Sequence, residues 1–257
     1  MSLFAGLAPP DPMPPAAPHL AKQTLRLTVL GILLVILSGC QSLSSTSNLA
    51  QVRVIDLSPD APAVDIYQGS TALAYNLSFG TVTSYVPLNP GSHTFTVNSA
   101  GTRQVLSSVK GSFSAATQYT VLINNPAASL QQLVIPDQIK PSLSGLPAIR
   151  FINQAVRTGA VDVYLVPAGQ KLTSVNPLVT NLAFGANTGY LGISNGVSTV
   201  IMLPAGTVPV DGAVTLHTGT QINYVNGSAR SLILVDPQPF ITPSVQVITT
   251  IDADPVS

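Results

Sequence analysis

Val52-Arg53-Val54-Ile55 and Ala63-Val64-Asp65-Ile66-Tyr67 decide the architecture, because both stretches return. The first reappears as Ile149-Arg150-Phe151-Ile152 and the second as Ala160-Val161-Asp162-Val163-Tyr164, each 97 residues on. Further along, Asn76-Leu77-Ser78-Phe79-Gly80 returns as Asn181-Leu182-Ala183-Phe184-Gly185, and Tyr85 and Gly91 return as Tyr190 and Gly196, now 105 residues on. The change of offset marks an eight-residue insertion in the second copy, within Leu165 to Thr180. A unit this long is a domain in tandem, since solenoid repeats span only about 20–50 residues.

Each copy reads as short strands. Gln51–Leu57 sets Val52, Val54 and Ile55 among polar neighbours, and Val64–Tyr67 is a brief second strand. Ser84–Leu88 and Ser92–Asn98 flank Asn89-Pro90-Gly91, which is expected to turn them into a hairpin, and Val105–Val109, Tyr119–Asn124 and Gln131–Ile135 follow. The second copy predicts strands at Ala148–Asn153, Ala160–Val166, Thr188–Ile193, Ser198–Leu203, Val214–His217 and Ser231–Val235. No helical period is sustained after Cys40. Around seven strands per copy predict an all-β chain of two tandem antiparallel immunoglobulin-like sandwiches. The expected divisions are residues 50–139 and 148–240, joined by a linker at 140–147. The tail at 241–257 alternates again over Ser244–Asp252 and is expected to add an edge strand to either domain.

Composition narrows the function. Only 8% of the 257 residues are charged, the formal net charge is zero, and hydrophobic residues make up 46%. Nucleic-acid binding needs a basic stripe to neutralise phosphates, and none is present. Disorder goes with low hydrophobicity and high net charge, the opposite of this chain. A single Cys excludes an intrachain disulfide and any cysteine-cluster metal site. Every acidic residue is Asp, and Trp is absent.

That single Cys has a distinctive setting. Lys22 and Arg26 precede an uncharged run from Leu27 to Leu37. The run is too short for a span, which needs roughly 20 apolar residues, and suits a secretory signal. Leu37-Ser38-Gly39-Cys40 then resembles the bacterial lipobox. Small residues let an extended chain enter a protease cleft, the Cys40 sulfur takes a diacylglyceryl group, and cleavage frees its amine for a further acyl chain such as palmitate. Two or three chains anchor stably where one does not. Residues 1–39 are thus expected to be a lipoprotein signal peptide, read from Met1 or from Met13. Residues 40–49 are a polar tether to the membrane. Gln41, by resemblance to sorting rules of didermic bacteria, favours the outer membrane.

Leu57-Ser58-Pro59-Asp60-Ala61-Pro62-Ala63-Val64-Asp65-Ile66-Tyr67 resembles the opening of the bacterial envelope family called domain of unknown function 4397. The resemblance spans nearly all of residues 50–240. It implies an exported β domain, often in tandem behind a signal or lipobox, with no established activity. The second copy departs at Ala155-Val156-Arg157-Thr158-Gly159, which lacks both prolines and the Asp.

The residues themselves support two readings. Pro59 and Pro62 fix φ around Asp60-Ala61, and Asp60 suits an Asx-type turn. Arg53 and Asp65, repeated as Arg150 and Asp162, are placed to pair if strands one and two adjoin. Alternatively, Arg53, Asp60 and Asp65 form a ligand or cation site. Recurrence in a copy that lacks the turn favours the structural role. Tyr67, Tyr85, Tyr164 and Tyr190 come in matched pairs, as core or corner residues or as a carbohydrate platform. His93 and His217 stand apart from any metal-binding or catalytic pattern, and no Gly-x-Ser-x-Gly elbow occurs. The expectation is a lipid-anchored envelope protein that is no enzyme and needs no metal or cofactor. It would bind an envelope protein or a polysaccharide, including peptidoglycan. The alternatives are a passive assembly role, with residues 244–252 as the interface, and a hydrolase with a spatially assembled site.

Overall fold

The computed structural model describes residues 48–137, 145–240 and 245–253. Cys40, the signal segment and much of the expected linker lie outside them.

The first copy contains β1 (Ala50–Asp56), β2 (Val64–Gln68), β3 (Thr71–Leu77), β4 (Val86–Leu88), β5 (Gly91–Ser99), β6 (Val105–Phe113), β7 (Gln118–Asn124) and β8 (Gln131–Asp137). The second contains β9 (Ala148–Gln154), β10 (Val161–Pro167), β11 (Val179–Leu182), β12 (Asn187–Gly192), β13 (Gly196–Pro204), β14 (His217–Tyr224), β15 (Ala229–Val235) and β16 (Gln246–Ala253). The all-β class and the two sandwiches are as expected, with eight strands in each copy rather than seven. The added strands are β3 and β11, outermost in their sheets, whose sequences show no clean alternation. β14 begins at His217, where the sequence placed its end.

Both sandwiches have one topology. An inner sheet of order β4-β1-β7-β8 lies over an outer sheet of order β3-β2-β5-β6, and the second copy repeats this as β12-β9-β15-β16 over β11-β10-β13-β14. The pairs β1–β7 and β9–β15 are parallel, and the rest are antiparallel. The tail supplies β16, which runs along β15 from Gln246 to Ala253.

Three apolar layers hold this together. Val52, Val54, Val64, Ile66, Phe95, Val97 and Val121 fill the first sandwich. Ile149, Phe151, Val161, Val163, Met202, Leu232 and Leu234 fill the second. A third cluster joins Ile55, Leu122 and Ile135 of the first inner sheet to Ile152, Ile233 and Val235 of the second. The inner sheets therefore pack face to face, and the layers run outer, inner, inner, outer. Side chains alternate across a strand, so Val52 and Val54 enter their own core while Arg53 and Ile55 face the other copy. This explains why β9 is buried at every residue.

Candidate functional site

The two repeated arginines meet at the junction between the inner sheets, buried to within 3% and 2% of complete exclusion from solvent. Arg53 donates through Nε to Thr120 Oγ1 at 2.8 Å, and Arg150 through Nε to Ser231 Oγ at 2.8 Å. These are register partners on the parallel neighbour strands β7 and β15. The outer ends of the guanidiniums cross over. Arg53 Nη2 pairs with Asp252 of β16, and Arg150 Nη2 pairs with Asp137 of β8 at 2.6 Å. Arg53 Nη1 donates to Ile251 O at 3.1 Å, and Arg150 Nη1 to Pro136 O at 2.9 Å. Tyr85 donates to Asp137 Oδ2 and Tyr190 to Asp252 Oδ2, both at 2.8 Å. Each tyrosine ring also covers its own arginine, with centroids 4.7 and 4.5 Å from the guanidinium carbon. Residues of one copy thus answer the matching residues of the other, as in a two-fold contact.

Burial works against the charge of Arg53, but Asp252, Tyr85 and Asp137 outweigh it and hold its pKa above the ordinary value. Burial, reinforced by Asp137, pushes Tyr85 far up, and burial with Asp252 does the same to Tyr190. The cluster is a clamp. Its arginines and carboxylates satisfy one another behind two sheets.

Arg53 therefore does not meet Asp65, contrary to the sequence expectation. Asp65 lies in β2 of the outer sheet, across the core from the face that carries Arg53. Its carboxylate accepts the Asn76 and Gly101 amides at 2.8 and 2.9 Å. Asp162 does the same for Asn181 and Gly206, at 2.7 and 2.8 Å. Asn76 and Asn181 hold φ of +53° and +52°, which accounts for the repeated Asn at the head of that motif. Asp60 does not close its own turn. Its Oδ1 accepts the Ala127 amide at 2.8 Å and ties the Pro59–Pro62 loop to the β7–β8 connection.

The turn is closed instead by Asp56, whose Oδ1 accepts the Ser58 amide at 3.0 Å. Its counterpart is Asn153, which accepts Ala155 N–H at the same distance. Asn153 also donates through Nδ2 to Gly159 O and Leu182 O, both at 3.0 Å. In the first copy those carbonyl positions belong to Pro62 and Leu77. Asp56 is fully buried and its Oδ2 has no hydrogen-bond partner. Burial pushes its pKa up to about 6, against a smaller lowering by the Ser58 amide.

His93 and His217 lie in different sandwiches, on β5 and β14. His93 is held through Nδ1 by Gln68 Nε2 at 2.8 Å and through Nε2 by Asn89 O at 2.7 Å. Burial pushes His217 below its ordinary value. Among the described residues, no three potential metal ligands of the His, Cys, Asp or Glu type gather. No helix among them is long and apolar enough to cross a membrane.

The four matched tyrosines part ways. Tyr85 and Tyr190 belong to the clamp, and Tyr164 is buried. Tyr67 stays half-exposed and meets Tyr75 edge-on, ring centroids 6.1 Å apart and planes at 87°. Tyr75 is 67% exposed. The two line an open cleft of about 650 Å³ with Asn76, Thr102 and Arg103.

Residues 50–164 match the family described as Domain of unknown function (DUF4397). Over that stretch the chain is similar to DUF4397 domains. The match starts at β1 and ends in β10, so it takes in the whole first sandwich and the first arginine-bearing strand of the second. No curated protein matches the chain. Among solved structures, the Bacillus anthracis TIE protein shares 12% identity over 74% of this chain with a TM-score of 0.23, and the chain spans about a third (34%) of its length. A family CBM26 module of Eubacterium rectale Amy13K, solved with maltoheptaose, shares 13% identity over 80% of this chain and 98% of its own, with a TM-score of 0.24. A putative cell adhesion protein of Bacteroides eggerthii shares 10% identity over 80% and 96%, with a TM-score of 0.18. At these scores the likeness carries no functional information.

Sequence reasoning missed Asp137, Asp252, Thr120, Ser231 and Tyr75. A signal existed for the carboxylates, since each copy's last strand runs to an Asp. Nothing in the spacing tells that each serves the other copy's arginine.

Proposed function

We propose that this protein is an exported, lipid-anchored module of the cell envelope that acts by binding rather than by catalysis. The observation that carries the binding half of this reading is the clamp. The repeated Arg53 and Arg150, candidates for a ligand site in the sequence, are spent on joining the two sandwiches. Asp65, Asp162 and Asp60 are spent on loop amides. What faces outward is loop and sheet surface, including the open cleft lined by Tyr67 and Tyr75. The anchoring half rests on Leu37-Ser38-Gly39-Cys40 after its basic and apolar leader. The outer membrane is the proposed site, on the strength of Gln41.

The alternative assembly role assigned residues 244–252 to a free interface. In the fold Gln246–Ala253 forms β16, paired with β15 and supplying Asp252 to the clamp. Its removal is expected to damage the body rather than spare it.

The test is membrane fractionation with metabolic labelling by palmitate. Wild type is expected in the membrane pellet with label, and Cys40→Ala in the soluble fraction without it. A Cys40→Ala protein that stays in the membrane would overturn the anchor.

A further inference from the structure

We propose that the outer sheet of the first sandwich carries a glycan-binding shelf, with Tyr67 and Tyr75 as its stacking residues and Arg103 at its rim. This rests on the binding-module reading above and names the ligand class for it.

The two copies supply an internal comparison. Tyr67 lies beside Thr96, and Asp65 beside Asn98. The same positions in the second copy set Tyr164 beside Ile201 and Asp162 beside Leu203. There the face is apolar and covered. Leu172 and Val175, from the insertion, pack onto Tyr164, Val166 and Leu203. The second copy thus shows what a peptide needs in order to seat on this face: a bed of Val, Ile and Leu. The first copy lacks that bed and the insertion. It keeps the aromatic ring, adds Tyr75 where the second copy has Thr180, and surrounds both with hydroxyl and amide groups.

Aromatic faces within a polar surround fit a sugar. The C–H face of a pyranose ring stacks on an aromatic ring, while its hydroxyls need hydrogen-bond partners around it. Tyr75 offers an exposed face braced edge-on by Tyr67. Arg103 is exposed and belongs to no ion pair among the described residues. Its planar fork can hold a hydroxyl pair or a carboxylate. The shelf is also fixed in place. Asp65 beneath it grips the amides of Asn76 and Gly101, which flank the tyrosines and Arg103. A site held this way loses little conformational entropy when it binds.

The experiment uses the full-length chain in detergent, applied to a glycan array of neutral and carboxylate-bearing oligosaccharides and to purified peptidoglycan sacculi. Binding to at least one is expected. Tyr75→Ala is expected to weaken it roughly tenfold or more, as for loss of one aromatic anchor, and Tyr75→Trp to retain it. Tyr75 is exposed, so Tyr75→Ala leaves the fold intact, with an unchanged melting temperature as the check. Loss of affinity on Arg103→Ala for carboxylate-bearing glycans alone would support an acidic ligand. Wild type that binds none of these probes overturns the shelf, as does Tyr75→Ala with unchanged affinity. So does binding only to a synthetic peptide of residues 168–178, which would point to a protein ligand. Binding to the peptide alone, or to a glycan with unchanged affinity in Tyr75→Ala, overturns the shelf while leaving a binding module, so failure of the shelf and failure of the binding-module reading are told apart.

Discussion

Asp56→Asn is expected to stabilise the protein at neutral pH. The first copy has a carboxyl where the second has a carboxamide, in the same pocket with the same turn amide as donor. Asn153 uses its two N–H groups on two carbonyls. An ionised Asp56 has no proton to offer the matching positions, and one oxygen is left bare in a fully buried site. The proton is therefore held more tightly in the folded chain, with the pKa raised from 3.8 to about 6. The sign follows by linkage. Stability from this group is fully present below pH 3.8 and is lost as the pH rises through about 6. At about 1.4 kcal/mol per pKa step, the total loss is on the order of 3 kcal/mol above pH 7. Asn carries no charge and supplies the missing donors. Asp56→Asn should recover most of that loss, a rise of roughly 5–10 °C in Tm at pH 7.5, shrinking toward zero near pH 4. Asn153→Asp should do the reverse, lowering Tm at pH 7.5 by a similar amount and recovering at low pH. The assay is thermal unfolding by circular dichroism from pH 4 to 8, on wild type and both variants. An Asp56→Asn protein with a lower Tm at pH 7.5, or a gap from wild type that ignores pH, would refute the reasoning.

The clamp is expected to respond sharply to loss of one partner. Asp252→Ala leaves the Arg53 guanidinium buried without its main carboxylate and should cost about 3–5 kcal/mol, read as a lower midpoint in urea. Asp137→Ala should cost about the same through Arg150, because the two arrangements match. Asp65→Ala frees the amides of Asn76 and Gly101 and should cost roughly 1–3 kcal/mol. It should speed hydrogen exchange at those two amides while the inner sheets stay protected. A spectrophotometric tyrosine titration should leave Tyr85 and Tyr190 unionised until the fold opens, and Tyr85→Phe should remove one such late-titrating group.

Much of the fold was legible because it rests on local rules. Alternation marked β1, β2, β5 and β7, but Asn89-Pro90-Gly91, expected to close a hairpin, instead carries the chain from β4 in the inner sheet to β5 in the outer one. Edge strands such as β3 and β11 left little pattern, since one side has no neighbour to impose it. The candidate site was harder to read. Arg53 and Asp65 share one spacing in both copies, and that regularity invited a pairing. The regularity is real, but each residue serves a different purpose. Asp65 holds loop amides beside it in space, and Arg53 looks outward to the other copy.

The sequence by itself determined the all-β class and the tandem repeat, and it carries the lipobox-like Leu37-Ser38-Gly39-Cys40 on which the proposed anchor rests. These rest on composition, short-range period and self-similarity, which one chain contains in full. Only the tertiary structure decided that the inner sheets pack face to face, that each arginine answers the other copy's carboxylate, that Asp56 occupies an asparagine's place, and that Tyr67 stays open while Tyr164 is covered. Each of these depends on which face of a strand meets which partner. Residues as distant in sequence as Arg53 and Asp252 become neighbours only when both sandwiches have formed and the apolar layer between them draws them together.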